Sequence, residues 1–270
     1  MPSKLKSFVQ YIEVSDDSSD NSLEAYARSP ASTFLKEIVH LTNAIEYCLR
    51  TFTKKNDNSL TMDAQDTIYH VSSATLASMM GHFETYQHFL FAGLLETTRL
   101  LPEFDIDNCI STLKKNGNLS VDIVRVSAFR GQPTPIGQIL ADNLSGWHHP
   151  ARVNSYFKAV IPSLDFYTNK EVEDLKVLWQ LRHSTVHTAG WLTQPDSQKV
   201  GALSGHGNRA IQLNNQFVPA AARRFHSIVK RSVSSLEKKY RSQLGSDLAV
   251  VETQEIDNLF LVKSPRSAWL

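Results

Sequence analysis

The chain is 270 residues long, 41% hydrophobic and almost neutral, with a formal net charge of +1. That is enough apolar material for one sizeable core at the upper end of single-domain length, and the charge balance excludes a global nucleic-acid signature. Two cysteines, Cys48 and Cys109, rule out a disulfide framework. No run approaches the ~18 apolar residues of a membrane span, and Met1 to Glu13 lacks a signal-peptide pattern, so the expectation is a soluble, cytoplasmic protein.

Residues 1–31 read as a mobile leader, because Glu13 to Asn21 is acidic and serine-rich. A helical domain is expected over 32–244. Ser32 and Thr33 are placed to cap a first helix that runs through Phe34, Leu35, Ile38 and Val39 to about Phe52. After the polar linker Lys54 to Asn58, Tyr69 to Leu101 predicts a long helix with a wide apolar surface (Leu76, Met79, Met80, Phe83, Tyr86), ended by Pro102. Residues 103–152 form an elaboration with short helical patterns over Ile106 to Leu113 and Ile136 to Leu144, separated by Gly131 to Pro135; a substrate-selecting lid has this character. Val153 to Ile161 predicts another helix, and Asn169 is placed to cap the one after it.

Val200 to Leu203 and Ala210 to Leu213 flank Gly205-His206-Gly207-Asn208 and predict a β-hairpin. Phe217 to Tyr240 then predicts a basic amphipathic helix, where Arg223, Arg224, Lys230, Arg231, Lys238, Lys239 and the adjoining Arg241 are opposed only by Glu237. Such a helix can line an RNA path, although a charge run is more often a solvated face. Residues 245–270 read as a C-terminal extension.

The most informative segment lies between these elements. Arg182-His183-Ser184-Thr185-Val186-His187 sits late in a helix over Glu171 to His187 and is stopped by Gly190. At about 100° per residue, Val172, Leu175, Leu178, Trp179 and Val186 share one side, with Arg182 inside that stripe and His183 and His187 beside it. Val177 and Leu181 add apolar surface opposite, so the helix is expected to be covered on more than one face. A buried unpaired charge costs several kcal/mol; three cationic or titratable groups at the end of an apolar face therefore imply a cleft, an anion or a partner chain. The structural alternative is an Arg that snorkels or pairs, with histidines favoured by the helix C-terminal dipole.

Arg, a polar residue, three variable residues and His, late in a helix of an all-α domain, resemble the R-x4-H motif of HEPN-domain proteins. The matching positions are Arg182, His183 and His187, and the wider pattern covers roughly residues 33 to 243. The resemblance implies an all-α, HEPN-like bundle with a small β-hairpin after the motif helix. It also implies a homodimer through that helix and a metal-independent endoribonuclease of the defence or stress-toxin type, with an antitoxin or regulatory partner. Some toxins of the family carry a Tyr two residues after the motif His, where a partner nucleotidyltransferase modifies them; here Ala189 stands in that place.

The residue types suit that chemistry. Cleaving RNA without a metal needs a base for the ribose 2′-OH, an acid for the leaving 5′-oxygen and a cation for the phosphorane. Arg182 offers a planar fork matched to phosphate. His187, where the helix end favours a cation, suits the acid, and His183 orients or contacts the phosphate. One chain supplies one clear Arg and one clear His, so a two-fold dimer is expected to complete the set. The products would be a 2′,3′-cyclic phosphate and a 5′-hydroxyl, with no cofactor and no metal. The reading from another class is a non-catalytic HEPN-like protein that binds RNA or scaffolds a partner.

Other constellations are weaker. His183 and His187 have the spacing of a zinc-binding H-x-x-x-H, but Ser184 stands where the metalloprotease form needs Glu. His148 and His149 precede Pro150 and read as a surface turn or a substrate element. Glu84 is a candidate to orient a motif residue, and Glu84, His82 or the His148-His149 pair would supply the missing base if one chain sufficed. No P-loop, dinucleotide fingerprint or nucleophile elbow is present.

Overall fold

The computed structural model describes residues 23–128, 130, 135–246 and 248–266. Among them the protein is all-α with one small antiparallel hairpin. The helices are α1 (Leu23–Arg28), α2 (Pro30–Thr51), α3 (Met62–Thr97), α4 (Ile106–Gly117), α5 (Ile123–Ala128), α6 (Ile136–Asp142), α7 (Pro150–Val160), α8 (Asn169–His187), α9 (Gln194–Gln198), α10 (Phe217–Arg241) and α11 (Val250–Leu259). Of the leader expected over residues 1–31, residues 1–22 lie outside the described residues, as does most of the Gly131 to Pro135 segment, whereas Leu23–Arg28 is helical with Tyr26 buried.

The spine is α3, 36 residues and roughly 54 Å long at 1.5 Å per residue. Helices α2, α6, α7, α8, α10 and α11 all pack against it. It is buried on several faces because Leu76, Met79, Met80, Phe83, Tyr86, Leu90 and Phe91 leave no polar stripe of full length. Around it Phe34 of α2 and Phe225 of α10 close the centre, with ring centroids 5.6 Å apart and Phe83 4.8 Å from Phe225. Phe157 stacks on Phe166 at 3.8 Å where α7 turns towards α8.

Helix starts follow capping chemistry and shift several expected boundaries. Pro30 opens α2, since a proline at the first position forfeits only an N–H that has no helical partner. The hydroxyls of Ser32 and Thr33 donate elsewhere, to the carbonyls of Leu261 (2.8 Å) and Ala25 (3.0 Å). Thr61 accepts from the Ala64 amide and so starts α3 at Met62 rather than Tyr69. Thr168, not Asn169, caps α8 in a reciprocal box with Glu171.

The hairpin forms one step away from its expected place. Trp191 and Leu192 (β1) pair with Ala210 and Arg209 (β2), while Gly201–His206, expected as strand and turn, is a 3-10 helix. Thr193 caps α9 immediately after β1, which takes the chain out of extended geometry. Asn208 turns it back in the left-handed region at φ 56°, its side-chain oxygen accepting from the Gln194 amide.

Three other regions acquire a structural role. The elaboration is part of the core: α4 packs on α7 with Cys109 and Leu113 buried, and α6 lies against α3. The C-terminal stretch is anchored too, with Ile256, Leu259 and Phe260 buried and Leu259 seated over Gly93. In α10, Arg224 pairs with Asp174 (2.5 Å), Arg231 with Glu171 (2.5 Å) and Arg241 with Asp257 (2.6 Å). Much of that basic run therefore ties α10 to α8 and α11 rather than forming an open path.

The stripe on α8 faces inward. Val172, Leu175, Leu178 and Trp179 are buried in this chain's own bundle, Leu175 completely. Pairing of two copies through Leu175 and Trp179 is thereby excluded. Only Val186, 48% exposed, remains outside.

Candidate functional site: a histidine-lined cationic cleft at the end of α8

At its C-terminal end α8 leaves the core and its side chains become polar. Ser184 is fully buried and takes the Gln180 amide at 3.3 Å, so the motif serine is a packing residue. Its carbonyl accepts from the amides of Thr188 and Gly190, which closes the helix as Ala189 and Gly190 pass through the left-handed region at φ 52° and 81°. The hairpin and α9 then fold back beside the last turns.

This return creates a cleft of about 410 Å³. Its lining includes His148 and His149 from the α6–α7 connection, Lys176, Trp179 and His183 from α8, and Lys199 at the end of α9. No carboxylate is among its lining residues. Lys176 pairs with Glu173 and Lys199 with Asp196, both at 2.7 Å, yet both ammonium groups remain substantially exposed. The lining is therefore basic, with the Glu173 and Asp196 carboxylates set against its two lysines from outside the lining.

Arg182 sits behind this surface, half-buried. Its Nε is buried without a hydrogen-bond partner among the described residues. The nearby Glu84 carboxyl is pushed up by burial despite the opposing pull of Arg182. This Nε is shut off from solvent, and Arg182 is not among the residues that line the cleft. His183 and His187 are exposed one turn apart, with ring centroids 4.8 Å apart.

The opposite wall carries two more imidazoles. His148 and His149 lie 4.0 Å apart, and His148 meets the Trp179 ring edge-on at 6.0 Å. Burial holds the His148 ring below its ordinary pKa, and the charges of Arg152, Arg182 and His183 push the same way. His149 is lowered by burial, then by His148 and Arg152. These rings are held from behind. Trp147 is buried among Phe91, Tyr156 and His88, and its carbonyl accepts from the Gln87 amide at 3.3 Å.

Arg182, His183 and His187 lie at one end of α8; His183 lines the cleft with His148 and His149, whereas Arg182 and His187 are not among its lining residues. His82 is elsewhere, bonded to the Tyr26 hydroxyl at 2.9 Å. Lys199 carries no sequence signal and reaches the cleft only through the fold of α9, whereas Trp179, expected on the apolar stripe, also forms part of the cleft wall. Lys176 was legible, lying seven residues and two turns before His183 on the same face. Among the described residues no group of three or more His, Cys, Asp or Glu is placed to hold a metal ion, so the H-x-x-x-H pair finds no further ligand there. No protein-family model matches the chain, and no curated protein or solved structure is found to be similar to it.

Proposed function

We propose that the protein is a metal-independent endoribonuclease of HEPN type, with Arg182, His183 and His187 as its catalytic residues. The observation that carries the reading is a cleft lined by His148, His149, Lys176, His183 and Lys199, with no carboxylate among its lining residues, beside the end of α8 that bears Arg182 and His187. Arg182 stabilises the charge that develops on the phosphorane, and Lys176 and Lys199 hold the flanking backbone by charge. His187 protonates the departing 5′-oxygen, and His183, next to it, positions the phosphate. A role as a defence or stress toxin under the control of an antitoxin follows from the family resemblance alone. A homodimer in this reading uses the exposed end of the motif helix, where Val186 and Trp191 are each 48% exposed.

Purified protein incubated with a mixed RNA pool in EDTA tests this directly. Cutting should persist and leave 2′,3′-cyclic phosphate and 5′-hydroxyl ends. Cleavage abolished by EDTA and restored by zinc or magnesium would overturn the mechanism. Tight RNA binding without any cleavage would favour the non-catalytic RNA-binding reading.

A further inference from the structure

We propose that the hollow between the end of α1, the first turns of α2 and the stretch after α11 binds a phosphate dianion, either free or carried by a small phosphomonoester. None of its lining residues belongs to α8 or to the histidine-lined cleft. This site therefore stands or falls independently of the endoribonuclease reading.

The hollow measures about 440 Å³ and collects basic side chains from three separate segments. Arg28 closes α1, Lys36 stands on the second turn of α2 and Lys263 follows α11. No carboxylate is among its described lining residues. A concave surface lined by one sign of charge concentrates ions of the other.

Two of these cations are uncommitted. Among the described residues the side chains of Arg28 and Lys263 make no hydrogen bond and no ion pair. Nearby cations differ: Arg266 is taken by Glu46 at 2.9 Å, Arg99 by Glu255 at 2.7 Å and Arg241 by Asp257 at 2.6 Å. Arg28 also borders a second hollow that contains Glu96 and Glu255, but the Gly137 amide occupies Glu96 and Arg99 occupies Glu255.

Hydrogen bonds hold the walls in place. The Ser29 hydroxyl donates to the Asn258 carbonyl at 3.0 Å and that of Ser32 to the Leu261 carbonyl at 2.8 Å, while the Ser32 oxygen accepts from the Lys263 amide at 3.0 Å. Thr33 ties α2 to α1 through the Ala25 carbonyl at 3.0 Å. The backbones that bear Arg28 and Lys263 are thus positioned in advance, and ligand binding has only side chains to order. The hydroxyls, whose protons go to carbonyls, frame the site and leave the ligand to the cations.

Charge and shape select the ligand. Two uncommitted monocations match a dianion, whereas a carboxylate or a backbone phosphodiester carries a single charge. A phosphomonoester approaches two negative charges above its second pKa of about 6. Its oxygens suit the guanidinium fork of Arg28, and Lys263 adds a point charge. The volume lies within the roughly 300–1,000 Å³ of small-molecule sites, so a group carrying the phosphate also fits.

The experiment titrates wild type at pH 7.5 with inorganic phosphate, with ribose 5-phosphate and with the monoanion dimethyl phosphate, by calorimetry and ligand-observed NMR. Phosphate or ribose 5-phosphate should bind with a Kd of about 1 mM or tighter. Tighter binding of ribose 5-phosphate identifies an ester as the ligand, and equal binding identifies free phosphate. Arg28→Ala and Lys263→Ala should each weaken binding ~10-fold or more, as loss of a charge-assisted hydrogen bond entails. Both side chains are exposed, so neither truncation opens a core cavity, and circular dichroism confirms the fold. Lys158→Ala, which removes an exposed charge on α7, should stay within about threefold of wild type, because remote exposed charges are screened. Absence of binding, dimethyl phosphate bound as tightly as phosphate, or an equal loss in Lys158→Ala would each overturn the proposal. So would phosphate binding that emerges only in the triple variant Asp16→Asn, Asp17→Asn, Asp20→Asn, since the chain's own acidic run would then be the occupant.

Discussion

Gln87 donates to the Trp147 carbonyl at 3.3 Å inside the bundle, and through this bond the spine helix fixes the connection that carries two cleft histidines. The same side chain accepts from the Tyr167 hydroxyl at 3.1 Å, and Asn154 clamps Tyr167 through its backbone amide and carbonyl at 2.6 and 2.8 Å. One buried amide thereby coordinates α3 with the segments before α7 and before α8. Replacement by an apolar residue of similar volume leaves two buried partners unsatisfied. Gln87→Leu should cost about 2 kcal/mol or more in chemical denaturation, at 1–3 kcal/mol per orphaned group. Cleavage should fall at temperatures where the variant is still folded, because the His148 wall loses its anchor. Full activity in a destabilised variant would mean that the anchor serves folding only.

Arg182→Ala and His187→Ala should each lower cleavage ~100-fold or more with the fold retained, as removal of an oxyanion-stabilising or proton-transfer group does. His187 is exposed and Arg182 only half-buried, so neither truncation opens a core cavity. Arg182→Lys discriminates further, since an ammonium keeps the charge but lacks the fork. Normal cutting by both alanine variants would make the motif structural.

Much of the architecture was legible because periodicity and capping act locally. The α2, α3, α7, α8 and α10 helices follow from apolar spacing, and their boundaries moved only where a cap or a proline decided, as at Pro30, Thr61 and Thr168. The hairpin was misplaced because Val200 to Leu203 has strand-like residues but follows a helix that Thr193 had already nucleated. The inward direction of the Leu175 and Trp179 stripe could not be read from one helix, since an apolar face fits its own core and a second copy equally well. The cleft was half-visible. Arg182, His183 and His187 are neighbours by helical geometry, whereas His148 and Lys199 reach His183 through tertiary contacts that leave no local pattern.

Gly137 marks where α6 approaches the spine most closely. A Cβ placed there would lie 2.2 Å from the Ala92 carbonyl oxygen, a backbone atom of α3 that cannot rotate away. Its amide also donates to the Glu96 carboxylate. An alanine would gain up to about 1 kcal/mol in helix propensity, but forcing two packed helices apart costs about 1–3 kcal/mol, and the contact is with backbone. Gly137→Ala should therefore lower the Tm. A rise would show that α6 shifts freely on α3.

Two histidines outside the cleft set a pH limit on the fold. His88 bonds Asp142 at 2.9 Å and is held below its ordinary pKa of 6.5, chiefly by burial, although Asp142 pulls it the other way. His226 is buried on α10 and lowered by burial and then by Lys230. A depressed imidazole pKa means that the unfolded chain binds protons which the folded chain refuses. The stability from these groups is thus fully present above pH 6.5 and is lost as pH falls below it, towards the lowered folded values. Glu84 runs in the opposite sense, because its raised carboxyl takes up a proton more readily when folded and so gains stability on acidification. The net slope therefore mixes signs, and the informative quantity is the difference between variants. Wild type should lose more Tm between pH 7.5 and 5.5 than His226→Gln, which has no proton to take up at that position, whatever the absolute stability of the variant. Equal losses in the two proteins would place the acid sensitivity elsewhere.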